Sequence, residues 1–176
     1  MHPQHMKLMR AAIQYDAGDP KRIQHFIKVH SFAALIGTAE DLSKADLFVL
    51  ETAAILHDIG IHQAEAKHHT SSGKYQEIEG PPVAKQLLRD CGGYTEEQIN
   101  RVCFLVGHHH TYTAIDGLDY QILIEADFLV NLYEDAASVD AVASARQRIF
   151  KTATGLALLD ALFPPAVGAP QRPLNP

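Results

Sequence analysis

The sequence predicts an all-α fold. Apolar residues recur at three- and four-residue spacing through most of the chain, and these stretches begin at helix-capping residues. No segment alternates apolar and polar residues over a useful length, so no strand is expected. With 176 residues the chain fits one domain and can bury a core of useful size. The expected division is a helical domain over 1–163 and a Pro-rich C-terminal tail over 164–176.

Asp19-Pro20 reads as an N-cap followed by proline at the first helical position. Ile23, Phe26, Ile27, His30 and Ala34 then recur at helical spacing, which places His30 on the apolar face. Ser43 with Asp46 starts the next helix, which carries Leu47, Leu50, Ala54 and His57. Gly60 is placed to end it. Residues 61–80 are polar and irregular and predict a long loop, a kind of segment that often carries function.

Pro81-Pro82 predicts a new helix with Val83, Leu87 and Leu88 on its face and Gly92-Gly93 after it. Thr95 and Gln98 form a capping box for a helix through Ile99, Val102, Cys103 and Val106 to His108-His109-His110. Asp116-Gly117 marks a turn, and a further helix runs from about Tyr120 through Asp127 to Tyr133. Ser138 caps a last amphipathic pair of segments ending near Phe163, where Pro164-Pro165 stops the helix. The remainder, "AVGAPQRPLNP", reads as an unstructured tail.

Composition narrows the function. A formal charge of −6 argues against a surface built for nucleic-acid backbone, and no duplex partner is expected. A small anionic substrate stays open, because a metal ion can supply local positive charge. Cys91 and Cys103 form no CxxC pair and read as core residues of a reduced, cytoplasmic protein. The N-terminus lacks the apolar core of a signal peptide. The run from Ile122 to Leu132 is broken by Glu125, Asp127 and Asn131 and is too short for a bilayer, so no membrane partner is expected.

The chemistry concentrates at His57-Asp58, where a buried helix ends. Imidazole beside carboxylate suits a divalent transition metal. An acid is disfavoured at a helix C-terminus, so Asp58 asks for a positive partner. Adjacent residues point about 100° apart on a regular helix, so both reach one ion only if the helix loosens, which Gly60 permits. Asp127 lies among Ile124, Ala126, Phe128 and Val130, where a carboxylate must be paired or metal-bound. Arg101 or Arg146 would be its ion-pair partner; a metal is the other reading. His30 is a hydrogen-bonded core histidine or a ligand.

His109 and His110 follow Val106 at inward spacing, His109 being the better placed, while His108 reads as solvent-facing. Lys67, Lys74, His62, His68 and His69 are either a solvated loop or groups that hold phosphate. His62, five residues beyond His57, is the best placed of them. No Walker motif or nucleophile elbow is present.

His30 in "KVHSFAALIG", His57 and Asp58 in "AAILHDIGI", and Asp127 in "LIEADFLVNL" resemble the HD superfamily of metal-dependent phosphohydrolases, from about Ile23 to about Tyr133. The resemblance implies a helical bundle in which His30, His57, Asp58 and Asp127 hold one divalent ion (Mn, Fe, Co, Ni, Zn or Mg). It implies hydrolysis of a small phosphate ester, a nucleotide first of all, with Asp58, His62 and His109 as catalytic groups. Two-metal members carry a His-His pair at the end of the equivalent helix and a histidine near 75–80. Here Tyr75-Gln76-Glu77-Ile78-Glu79 holds none, with Glu77 and Glu79 as carboxylate substitutes or plain helix-preceding acids, so one ion is expected. A regulatory module that binds ligand without turnover and a di-iron oxygenase-type relative are the alternatives. The state of association, homo-oligomer included, stays open.

Overall fold

The computed structural model describes residues 1–164, and the predicted tail from Pro165 onward lies outside them. Among the described residues there are nine helices and no strand. They are α1 (Pro3–Tyr15), α2 (Pro20–Ala39), α3 (Lys44–Leu56), α4 (Ile61–His68), α5 (Gly73–Cys91), α6 (Glu96–Val106), α7 (Leu118–Glu134), α8 (Val139–Arg148) and α9 (Ala153–Leu162).

The starts follow the capping chemistry. Asp19 accepts from the Arg22 amide, Ser43 from Asp46 and Ser138 from Ala141. Thr95 and Gln98 form a reciprocal capping box. Each such cap satisfies an amide that the helix itself leaves without a partner, a contribution of about 1 kcal/mol.

The core is built on α3 and α7, which are apolar on most of their circumference. Leu50, Ala53, Ala54, Ile55 and Leu56 of α3 are buried together with Ile122, Leu123, Ile124, Ala126 and Leu129 of α7. Helix α2 packs on both, and α5 packs on α1, α4 and α6. Fully burying one Leu or Ile contributes about 1.5–3 kcal/mol, so this stripe fixes how the helices sit.

Three features depart from the sequence expectation. Helix α1 is the first, with His5, Leu8, Met9 and Ala12 buried at three- and four-residue spacing. Second, residues 61–80 are not a loop: α4 fills their first half and α5 begins at Gly73. Third, Pro81 and Pro82 lie inside α5 rather than at its start. The two prolines forfeit two backbone hydrogen bonds. Close packing against α4 and α6 holds the helix through them: a Cβ on Gly60 would stand 2.6 Å from Gly80 N, and one on Gly80 2.7 Å from a Val106 methyl.

Gly60 also differs in its reason for being glycine. Its φ of −78° is ordinary right-handed backbone, not a left-handed helix stop. The absent side chain instead lets the α3–α4 turn touch the α5 backbone.

Candidate metal centre

Four side chains from three parts of the fold converge where α2 crosses α7. His25 of α2 places Nε2 3.1 Å from Asp127 Oδ1, 3.2 Å from His57 Nε2 and 3.5 Å from Asp58 Oδ2. His57 Nε2 lies 3.5 Å from Asp127 Oδ1 and 3.6 Å from Asp58 Oδ2. His57 and Asp58 share the space because α3 ends at Leu56 and the chain tightens into short turns, Ile59 N to Leu56 O and Ile61 N to Asp58 O. That tightening brings adjacent side chains to one point.

The remaining ring nitrogens are held from behind. His57 Nδ1 donates to the Ala54 carbonyl at 2.9 Å, which aims Nε2 into the cluster. His25 Nδ1 meets Glu134 Oε2 at 3.0 Å, and Lys28 holds the other oxygen of Glu134. Asn131 Nδ2 donates to Asp127 Oδ1 at 2.8 Å. A carboxylate or carbonyl behind each imidazole is the usual support of a metal-ligating histidine.

The electrostatics follow from two carboxylates placed against imidazoles in a poorly hydrated spot. Burial opposes charge on His25, but the Asp127 hydrogen bond and the Asp58 and Asp127 charges outweigh it and lift the pKa to about 9. Burial likewise opposes charge on His57, and Asp58 and Asp127 again raise it. Burial pushes the Asp58 carboxyl up, while the His57 charge and the His109 hydrogen bond hold it well below the usual range. Asp127 is held low in the same way, by its contacts with His25 and His57. The cluster favours anionic oxygens and demands positive charge around them.

The structure corrects the placement of His30. His25 stands with His57, Asp58 and Asp127, whereas His30 lies beside Glu51 and His5, its Nε2 3.4 Å from Glu51 Oε1. Five residues along a helix is about 140° of rotation, so the two histidines face different neighbours. Of the predicted stripe Ile23, Phe26, Ile27, His30 and Ala34, Phe26 and His30 are buried, while Ile27 is 37% exposed; the buried face extends instead through His25, Val29, Ala33 and Ile36. That face was present in the sequence and is the signal that points to His25.

The ion-pair alternative for Asp127 is removed as well. Arg101 spends its guanidinium on Asp116 and Asp119, and Arg146 is paired with Asp160. His109 is buried, donates from Nδ1 to Val106 O at 2.8 Å and turns Nε2 to Asp58 Oδ1 at 3.3 Å. His108 is half-buried, donates to Phe104 O and stacks on that ring, while His110 meets Gln76 Oε1 at 3.1 Å.

Glu77 accepts from the His110 amide and the Thr111 hydroxyl, and Glu79 pairs with Lys67 and His68. Both acids are thus engaged elsewhere. His62 does not reach the cluster: its ring lies between Asp16, at 3.1 Å, and Arg22, at 3.0 Å.

His25 and Asp58 of the cluster line a cleft of about 370 Å³, with Lys21, Arg22, Gln76 and Asn131 among the side chains around it. Asp58 is 21% exposed on its side chain, so the cleft reaches the donor set. Lys21 and Arg22 at the cleft and Glu134 behind His25 were not singled out from sequence. Each is an ordinary charged residue until the fold brings it to the cluster.

A family model described as HD domain matches residues 22–153, a range that contains His25, His57, Asp58, His109 and Asp127 but not α1. No curated protein and no solved structure gives a match.

Proposed function

The chain belongs to the HD-domain family, and from that premise we propose that it is a metal-dependent phosphohydrolase acting on a small phosphate ester, with nucleotides the first class to test. The observation that carries the reading is the convergence of His25, His57, Asp58 and Asp127 beside a cleft that His25 and Asp58 line together with Lys21 and Arg22. Two imidazole nitrogens and two carboxylate groups suit Mn, Fe, Co, Ni, Zn or Mg. Donor atoms of His25, His57 and Asp58 stand 3.2–3.6 Å apart, close to the spacing that bonds of about 2.0–2.2 Å to a shared ion would require, and Asp127 Oδ1 lies 3.1 and 3.5 Å from the two ring nitrogens. Such an ion supplies Lewis acidity, drawing charge off a phosphoryl oxygen and lowering the pKa of a water molecule.

The protein's own groups complete the site. Asp58, the ligand carboxylate that the cleft exposes, orients the attacking water by accepting its hydrogen bond. His109, its Nδ1 proton fixed on Val106 O, presents Nε2 beside Asp58 and takes or returns a proton there. Lys21 at the cleft supplies a cation for the rest of the phosphate, while Arg22 beside it is paired with Asp19 and Glu65. His62 acts at one remove, as a positioning residue that holds Arg22 against Asp16.

One observation favours a second reading with two ions. Asp58 turns one oxygen to His25 and His57 and the other to His109, and Asp58, His109 and His110 form a further group of close donor atoms. Loss of one metal equivalent on His110→Ala, with the first retained, would support it.

The test is phosphate release from nucleoside mono-, di- and triphosphates and p-nitrophenyl phosphate, after chelation and re-addition of each metal in turn. The reading expects activity with at least one metal and none in Asp58→Ala. A folded, metal-loaded parent that hydrolyses nothing overturns it and leaves a ligand-binding module in its place.

A further inference from the structure

We propose that His5, His30 and Glu51 form a second metal site, separate from the cleft, for a divalent cation of the zinc class that pins α1 to α2 and α3. His5 Nδ1 lies 3.1 Å from Glu51 Oε2, and His30 Nε2 lies 3.4 Å from Glu51 Oε1. One donor atom from each of the three residues falls within 4.8 Å of the others. Two donors bound at about 2.1 Å with tetrahedral angles stand about 3.4 Å apart, so each histidine is near ligating distance from its own oxygen of Glu51.

Two buried nitrogens face Glu51 without an aligned hydrogen bond to it. His5 Nδ1 and His30 Nε2 are shielded from solvent and make no hydrogen bond. Both are within ion-pair distance of Glu51, yet the ring directions miss its oxygens. A simple His–Glu pair would align the N–H with the carboxylate. Buried polar atoms in native folds are nearly always satisfied, and each exception asks for a missing partner.

The His5 ring is also set up as a ligand. Its Nε2 donates to Phe48 O at 3.2 Å, with Thr52 Oγ1 at 3.1 Å, so the neutral ring keeps its lone pair on Nδ1. Phe48 stacks on the ring at 4.6 Å and holds its plane. Glu51 is 17% exposed on its side chain, which gives an ion a way in and leaves room for water as the fourth ligand.

The site has a structural consequence. Helix α1 lies outside the matched family range and rests on α3 and α5. His5 is the only member of the triad that α1 provides, and a shared ion would tie that helix to α2 and α3 at one point.

Two measurements test this apart from the cleft. In a long-range ¹H–¹⁵N spectrum of the parent chain, one equivalent beyond cleft saturation of zinc should move His5 Nδ1 and His30 Nε2 while His5 Nε2 keeps its proton. Unmoved His5 and His30 signals overturn the proposal, whatever the cleft histidines do. Zinc binding by equilibrium dialysis is then read in Asp58→Ala, with and without Glu51→Gln, a near-isosteric change. The added substitution should weaken the retained site at least about 100-fold, since it removes a direct ligand where loss of mere supporting groups already costs 10–100-fold. Equal zinc binding by the two folded variants overturns it. Should Glu51→Gln fail to fold, the ring spectrum of the parent decides alone.

Discussion

His25 and Asp127 are 102 positions apart, and the fold sets His25 Nε2 3.1 Å from Asp127 Oδ1. The contact joins α2 to α7 at the point where His57 and Asp58 arrive from the end of α3. His25→Ala should therefore lower turnover by about 10²-fold or more and reduce metal held in the cleft, because a direct ligand and its share of orientation are lost together. Steady-state kinetics with metal analysis checks this, and near-parental kcat/KM with full metal content would remove His25 from the site.

Glu134 lines the cleft and meets the centre through His25 Nδ1. Glu134→Gln should leave the helices intact and weaken metal binding in the cleft by about 10–100-fold, the usual effect of removing a supporting carboxylate. A competition titration with a chelating dye reads the affinity. An unchanged constant would mean that the contact does not tune the ring.

Gly60→Ala tests why the turn after Asp58 carries glycine. The new Cβ would stand 2.6 Å from Gly80 N and 2.7 Å from Gln76 O, both backbone atoms that cannot rotate away. The α4–α5 contact must open, at a cost of about 1–3 kcal/mol. Because Asp58 is two residues away, kcat should fall with stability. Urea denaturation beside a kinetic assay separates the two effects, and a variant with parental stability and rate would contradict the account.

Glu125 is fully buried and accepts from the amides of Lys151 and Thr152, the Thr152 hydroxyl and Gln121. From α7 it holds the backbone just before α9, whose N-cap is Thr152. Glu125→Ala leaves those donors unpaired and opens a small void, so a loss of about 2–4 kcal/mol is expected. For a chain of this size that is a fall in Tm of roughly 5–15 °C. Differential scanning calorimetry reads it, and a shift under 2 °C would show that water replaces the carboxylate at little cost.

Helix type and most starts were legible because caps are local: Asp19, Ser43, Thr95 and Ser138 act on amides a few residues away. Residues 61–80 were not, because their polar side chains mark exposure on α4 and α5 rather than absence of structure. The Pro81-Pro82 pair was misread for a related reason: packing against α4 and α6 holds a helix that local rules would begin there.

At the site, His57, Asp58 and Asp127 stood out as polar groups in apolar runs. From sequence His30 is taken and His25 passed over; both are buried histidines on one helix and differ only in which neighbour each faces. That difference belongs to α1, α3 and α7, not to α2.

The most direct measurement is anomalous scattering from a crystal of the parent protein soaked in manganese. The account predicts one peak in the cleft, bonded at about 2.0–2.3 Å to His25 Nε2, His57 Nε2 and the carboxylates of Asp58 and Asp127. A manganese-activated protein whose crystal shows no peak there, or a peak coordinated without His25, would contradict it.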